Sequence, residues 1–321
     1  MRAILLLLIS TGLGLSADAA RAQSYPYKPI RLIVGFAPGG NVDITARLLG
    51  RKLTENLGQA IIVDNREGAG GIIAANLVAK AAVDGYTLLM APASHAMQPA
   101  LYRTMPYDTV NDFAPVSTVA TAPHFLVVNT ALSVNTVKEL IALAKSKPGW
   151  LNYGSAGVGS ATHLEGELFR TMAGIDIVHI AYKGVGPAVN ALASGQVQIV
   201  FTGTVAALPF IRLGKLKAVG VTSAKRLSTA PNVPTFVESG LPQFIVESPV
   251  GVLAPAGTPK AVINRLNMEI VRFTQLAEIH DAMIAQGAEQ AASTPQEYKA
   301  RIAEEVVRWR KVVKDAGIPL Q

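Results

Sequence analysis

Three loops rich in small side chains hold the residues with the clearest chemical potential. They span residues 36–41, 154–160 and 182–186, and each lies between a strand pattern and a helix pattern. Each loop therefore leads into a helix N-terminus, where unpaired backbone N–H groups and the helix dipole favour an anion. For one loop alone, glycines that merely turn the chain are an equal alternative. Because the first two loops lie in separate units of the chain, together they favour anion binding.

The candidate ligand-binding residues come from the first two loops, from the helices that follow them and from two hydroxyl side chains elsewhere. They are Phe36, Ala37, Pro38, Gly39, Gly40, Asn41, Asp43, Ser94, Ser155, Ala156, Gly157, Ser160, His163 and Thr202. Asp43 falls in the first helical turn, where the helix dipole stabilises a carboxylate, so capping together with Asn41 is its simpler role. His163 begins the second helix, and a structural role is favoured over that of a base, with a ligand hydrogen bond as the alternative.

The motifs of common enzymes are not completed in these loops. The stretch GSAGVGS lacks the lysine of a phosphate-binding loop, and Thr162 stands where a dinucleotide fingerprint from Gly157 needs its third glycine. Ser155 lacks the preceding glycine of a nucleophile elbow, and the five histidines show no metal-ligand spacing. We therefore expect no catalytic residue, no metal and no cofactor. The enzyme alternative is an exported α/β serine hydrolase that uses Ser155 or Ser160 with His163, and it lacks an assigned acid.

Composition indicates an exported protein with two domains. The chain has 321 residues, of which 50% are hydrophobic and 16% charged. A chain of this length is too long to fold around one ordinary core. Residues 1–22 have a basic start, a short apolar run and an Ala-x-Ala end, which predicts a secretory signal peptide cleaved after Ala22 and a periplasmic location. The absence of cysteine excludes disulfides and thiol chemistry. The net charge of +7 is scattered, which argues against nucleic acid and favours small anions.

Two units of alternating strands and helices lie on either side of residue 125. Hydrophobic periodicity predicts a β-α-β-α-β unit over residues 30–91, with its first helix at 42–57 closed by Gly58, and a second unit from about residue 125. Thr136 with Glu139, and Thr294 with Glu297, form predicted capping boxes, and Pro187 is predicted at a first helical position. We expect domain 1 to comprise residues 23–124 and 251–321 and domain 2 residues 125–250. Each should be a mostly parallel sheet flanked by helices, with ligands bound beyond the carboxyl ends of the strands.

Seven stretches in order resemble the hallmarks of one family and together cover nearly all of the mature chain. They are YPYKPIRLIVGFAPGGNVDITARLLGRKL, VDNREGAGG, DGYTLLM, NYGSAGVGSATHLEGELF, YKGVGPAVNALASGQVQ, GKLKAVGVTS and PNVPTFVESGLP. The chain is similar to the Bug, or TctC-like, solute-binding proteins of tripartite tricarboxylate transporters. The resemblance implies a two-domain Venus-flytrap fold of the periplasmic-binding-protein type. It also implies an organic acid whose carboxylate is held by residues 36–41 and 155–160, and two integral-membrane transporter subunits as partners. We expect the receptor to act as a monomer.

Two departures from the family pattern leave the ligand open. Thr202, Gly203 and Thr204 stand where many relatives have an acidic residue, and Pro249 stands where relatives often have an aromatic one. Without a carboxylate at the first position to pair with an ammonium group, an acid without an α-amino group is the expected ligand. A further alternative is a binding domain that serves a signalling receptor instead of a permease.

Overall fold

The computed structural model describes residues 25–227, 230–285, 288–315 and 317–320. The predicted signal peptide, residues 1–22, lies outside these ranges. Within them, no helix has the length and apolar character needed to cross a membrane.

The first sheet has six strands and contains the first predicted β-α-β-α-β unit. Its strands are β1 (Ile30–Val34), β2 (Ile61–Asn65), β3 (Thr87–Ala91), β4 (Phe113–Pro123), β10 (Glu247–Pro255) and β11 (Glu289–Gln290). Their order across the sheet is β11-β4-β10-β3-β1-β2. The second sheet has five strands, β5 (Phe125–Asn129), β6 (Leu151–Ser155), β7 (Ile177–Ala181), β8 (Ile199–Thr202) and β9 (Leu216–Val221), in the order β7-β6-β8-β5-β9.

Helices flank both sheets. They are α1 (Asn41–Leu57), α2 (Ile72–Ala79), α3 (Ser94–Met97), α4 (Val137–Ser146), α5 (Ala161–Ala173), α6 (Val185–Ala193), α7 (Thr204–Arg212), α8 (Lys260–Thr274), α9 (Ala277–Ala285) and α10 (Pro295–Asp315). Gly58 closes α1 in the left-handed conformation, and its N–H donates to the Thr54 carbonyl, as predicted. Both predicted capping boxes are present, because the Glu139 and Glu297 N–H groups donate to the hydroxyls of Thr136 and Thr294.

Two predictions about the elements are wrong. Pro187 does not begin its helix, because α6 starts at Val185 and Pro187 is its third residue. That position still tolerates proline, since the N–H groups of the first helical turn have no intrahelical partner. The sheets are mixed rather than mostly parallel. The βαβ pairs β1–β2, β1–β3, β6–β7 and β6–β8 are parallel, whereas β4, β5, β9, β10 and β11 make antiparallel pairs. The β4–β10 pair is antiparallel because the chain runs from the first sheet to the second along β4 and β5 and runs back in the opposite direction along β10.

Each sheet has an apolar layer on both faces, because successive strand residues point to opposite sides. Leu32 packs in the layer that contains α1 and α8, whereas Ile33 packs in the layer that contains α2. In the second sheet, Leu126 lies in the layer with α4 and α5, and Val127 lies in the layer with α6. The crossing from β4 to β5 is a single residue, His124. The domain boundaries at residues 124/125 and 250/251 stay predictions.

Candidate functional site

A cavity of about 790 Å³, its open mouth included, lies between loops from both sheets. Its lining residues are Phe36, Gly40, Asn41, Val42, Asp43, Thr45, Pro92, Ala93, Ser94, Ala120, Ala122, His124, Ala156, Ser160, Ala161, Thr162, Val185, Ser248, Val250 and Ala288. Seven of the predicted site residues are therefore on its wall: Phe36, Gly40, Asn41, Asp43, Ser94, Ala156 and Ser160. The other seven, Ala37, Pro38, Gly39, Ser155, Gly157, His163 and Thr202, are not lining residues. Ligand contact stays a prediction for all fourteen.

The two neighbouring glycines of the first loop have different roles. Gly39 has a φ of +88°, a conformation that side chains rarely adopt, so it is required for the turn. Gly40 has φ −85° and ψ 165°, which any residue can adopt, and it is the N-cap residue of α1 on the cavity wall. No side chain caps α1. Its first-turn N–H groups are therefore left for another acceptor at the cavity.

Asp43 braces the first loop through hydrogen bonds on both carboxylate oxygens. Oδ2 accepts from the Gly39 N–H at 3.0 Å and from Arg47 Nε at 2.9 Å, and Oδ1 accepts from Arg47 Nη2 and Asn65 Nδ2, each at 2.9 Å. Burial alone raises the pKa of Asp43, but these donors outweigh it and hold the pKa below its ordinary value. Asp43 therefore holds the loop as an ionised group.

Asn41 differs from its predicted role as a capping companion. It is the first helical residue of α1, after the N-cap position, and its side chain makes no cap bond. Its amide instead lies against Gly203, the N-cap residue of α7, since a Cβ built on Gly203 would lie 1.5 Å from Asn41 Nδ2. Asn41 Oδ1 is buried, and none of the described groups forms a hydrogen bond with it. The absence of a side chain at Gly203 thus lets the two halves of the site approach closely.

The second loop places α5 with its N-terminus at the cavity. Ser160 caps α5, and its hydroxyl accepts from the His163 N–H at 3.2 Å. Thr162 Oγ1 accepts from the Ala156 N–H at 2.9 Å and holds the loop onto the helix. Ser160 and Thr162 both line the cavity, so the loop presents hydroxyl groups as well as the helix N-terminus.

Two histidines support this loop from behind the cavity wall. Ser155 Oγ lies 2.6 Å from His179 Nε2, and the His179 ring stacks on His163 with centroids 4.1 Å apart. His163 Nδ1 accepts from the Gly159 N–H at 3.2 Å. Burial, with a smaller contribution from His163, lowers the pKa of His179 to about 4, so the ring is neutral at pH 7. Ser155 is fully buried away from the cavity, and neither Ser155 nor Ser160 pairs with the His163 ring as the hydrolase alternative requires.

The third loop joins the two sheets next to the cavity. The Ala37 N–H donates to the Lys183 carbonyl at 3.1 Å, and Val185 lines the cavity. Thr202 is buried at the end of β8, where its hydroxyl donates to the Gly203 carbonyl at 3.0 Å. The bond between Ala37 and Lys183 therefore joins the two halves of the site next to the cavity.

The cavity floor is formed by the two strands that cross between the sheets, and sequence analysis missed it. Ala120, Ala122 and His124 line it from β4 and the crossing, while Ser248 and Val250 line it from β10. In the strand pairing, Ala122 lies opposite Ser248 and Ala120 lies opposite Val250. The two-residue spacing of small residues in STVATAPH was the available signal, because alternate strand residues share one face.

Three lining residues carry buried polar atoms that have no hydrogen-bond partner in the part of the chain that the structure describes. They are Asn41 Oδ1, Ser94 Oγ and Ser248 Oγ. Buried polar groups in folded proteins nearly always have partners, so these atoms indicate an occupant with polar groups. No lysine or arginine is among the described residues that line the cavity. Among the described residues, no cluster of side chains could hold a metal ion.

Comparison with known proteins identifies a family of receptors. A family described as "Tripartite tricarboxylate transporter family receptor" matches residues 45–318. "Protein BugT" of Bordetella pertussis is 40% identical over 310 residues, which cover 96% of this chain and 95% of that protein.

Two solved structures from Rhodopseudomonas palustris share the fold. "Rpa4515 with adipate" has a TM-score of 0.89 at 37% identity, covering 92% of this chain and 100% of that one. "MatC (Rpa3494)", described with bound malate, has a TM-score of 0.86 at 32% identity, covering 90% of this chain and 100% of that one. This chain therefore belongs to the tripartite tricarboxylate transporter receptor family, the Bug or TctC-like periplasmic solute-binding proteins, with their two-domain α/β fold.

Proposed function

We propose that this protein captures a small organic acid in the cavity between its sheets and delivers it to a tripartite membrane transporter. The observation that carries the proposal is the set of partnerless polar atoms on the cavity wall, Asn41 Oδ1, Ser94 Oγ and Ser248 Oγ. In a cavity closed by loops from two sheets, such atoms favour a ligand that completes their hydrogen bonds.

A carboxylate suits this cavity better than a cation or an apolar molecule. The N-termini of α1 and α5 both reach the wall, at Gly40 and Ser160, so backbone N–H groups and helix dipoles from two directions favour a negative charge. The Asn41 amide can turn either its oxygen or its nitrogen toward a ligand. The adipate and malate named for the two relatives are of the same chemical class.

The wider role follows from family membership. We propose two integral-membrane transporter subunits as partners, a monomeric receptor, and no catalytic activity. The off-cavity position of Ser155 supports the last point. We also propose cleavage after Ala22, and an N-terminal mass beginning at Gln23 in periplasmic extract is the expected result. An intact Met1 would contradict the cleavage.

A ligand screen tests the proposal directly. The purified mature protein is heated with organic acids and with the corresponding amides, and positive results are measured by calorimetry. An acid at 100 times its dissociation constant should stabilise the fold by roughly 2.7 kcal/mol, whereas its amide should not. Equal stabilisation by an acid and its amide would contradict anion recognition. Turnover of model esters would favour the hydrolase alternative instead.

A further inference from the structure

We propose that His124, Glu165 and Ser248 form a second polar subsite on the cavity floor, which selects acids with a second carboxylate over acids that end in an alkyl or ammonium group. This inference rests on the proposed function, because it concerns another part of the same ligand. His124 and Ser248 line the cavity, and Glu165 stands behind His124 as a positioning residue.

The contact between His124 and Glu165 is the first observation. Glu165 is fully buried on α5, and its two oxygens lie 2.9 and 2.8 Å from His124 Nδ1. Among the described residues, no other hydrogen bond reaches the Glu165 side chain. A buried carboxylate is costly unless it has a partner, so Glu165 holds the His124 ring in place through Nδ1.

The contact with Glu165 determines which atom of His124 faces a ligand. Both Glu165 oxygens lie against Nδ1, so the other ring nitrogen, Nε2, is left for a cavity occupant. With a proton on Nε2, the ring donates a hydrogen bond to a carboxylate there. Nε2 has no hydrogen-bond partner among the described residues.

Ser248 supplies an independent observation on the same floor. Ser248 lies opposite Ala122 in the strand pairing, and Ala122 is two positions before His124 in the chain. The Oγ atom of Ser248 is buried and has no partner among the described residues. A carboxylate can accept from both the Ser248 hydroxyl and the His124 Nε2–H. An alkyl end would leave both groups without partners, and an ammonium would place a donor against a donor. Ala122 and Val250 are apolar and leave space for the chain of a ligand.

A purely structural role is the competing explanation, since His124 and Glu165 also join the crossing between the sheets to α5. A structural contact would change stability and the affinity for every ligand together. A subsite would change only the preference for a second carboxylate. The ratio of two affinities in one variant therefore separates the two explanations even when the fold is weakened.

The experiment is calorimetry on the mature protein with matched acid pairs. The pairs are succinate with butanoate, adipate with hexanoate, and malate with 3-hydroxybutanoate; 6-aminohexanoate tests the ammonium end. We expect the wild type to prefer the diacid of at least one pair by roughly 10- to 100-fold, as charge-assisted hydrogen bonds predict. The double variant His124→Phe with Glu165→Met should reduce that preference to within about threefold, and it leaves no unpaired buried charge. Ser248→Ala should reduce it partly.

Glu167→Gln is the matched control. Glu167 lies on the same helix as Glu165, but its carboxylate binds Tyr153 and Arg170 away from the cavity. The preference for diacids should therefore persist in this variant. Equal binding of diacids and monoacids by the wild type would overturn this inference while leaving the proposed function intact. So would a diacid preference that survives in the double variant. If no acid binds, the proposed function fails, and this inference fails with it.

Discussion

Replacing Gly40 by valine separates anion binding at α1 from the turning of the chain. The backbone at Gly40, with φ −85° and ψ 165°, suits a β-branched residue. The nearest described atom to a Cβ built there is the Val185 Cβ, at 3.9 Å, which is an ordinary van der Waals contact. The new side chain would instead occupy the cavity wall in front of the first N–H groups of α1. We therefore expect a folded protein that has lost its ligand.

The magnitude follows from the hydrogen bonds that a carboxylate would lose. Each bond from an N–H group to a charged ligand contributes about 1.5–3 kcal/mol, so the loss of two weakens binding by more than roughly 100-fold. The cost to the fold is smaller, because valine is a poorer N-cap residue than glycine by an amount on the order of 1 kcal/mol. For domains of this size, 1 kcal/mol corresponds to about 2–4 °C in Tm.

Gly39→Ala is the matched control in the neighbouring position. Gly39 has a φ of +88° and does not line the cavity, so alanine there strains the backbone without reaching a ligand. The left-handed conformation costs a residue with a side chain about 1–2 kcal/mol, close to the cost expected for Gly40→Val. The two variants should therefore lose similar stability, yet only Gly40→Val should lose affinity.

Calorimetry with the best acid from the ligand screen, and thermal unfolding without ligand, measure both quantities. A Gly40→Val protein that binds as tightly as the wild type would refute anion binding at the N-terminus of α1. A parallel loss of affinity in both variants would refute the separate roles of the two glycines.

Three further predictions concern protonation and closure. Asp43→Asn should lower the free energy of unfolding by about 1–3 kcal/mol at pH 7. Folding lowers the pKa of Asp43 below its ordinary value of 3.8, so the Asp43 carboxylate contributes its full stability above pH 3.8. This contribution disappears as the pH falls from 3.8 through the folded-state pKa. Urea titrations at several pH values would measure the loss. Since folding lowers the pKa of His179 from 6.5 to about 4, the wild type should lose stability as the pH drops through this interval. The variant His179→Asn should lose less stability over the same interval. An equal dependence of stability on pH in the two proteins would contradict the lowered pKa of His179. Gly203→Ala should weaken binding by at least about tenfold and reduce closure in small-angle scattering, because its Cβ would overlap Asn41 Nδ2; unchanged closure would count against this contact.

Local sequence determined those features of the protein that depend on neighbouring residues. The apolar spacing that predicts α1, its closure by Gly58 and the two capping boxes involve residues within a few positions of one another. The first and second loops were predicted at the cavity for the same reason, since the strand-to-helix pattern alone places a helix N-terminus there. The glycines of the first loop could not be assigned separate roles, because φ at Gly39 and the position of Gly40 on the cavity wall depend on how α1 packs.

Only the tertiary structure decided the cavity floor and the partners of its polar groups. The sequence did not reveal the strand β4, because it contains Pro115 and Pro123. Proline cannot donate a backbone hydrogen bond, so it argues against a strand until the pairing partners of that strand are known. His124 and Glu165 are 41 residues apart in the chain, and Ser248 comes to the same floor through the return strand β10. The sequence contains each of these residues, but the pairing of β4 with β10 and the packing of α5 bring them together. Contacts between distant segments depend on the whole fold, whereas caps and periodicity depend only on the chain nearby.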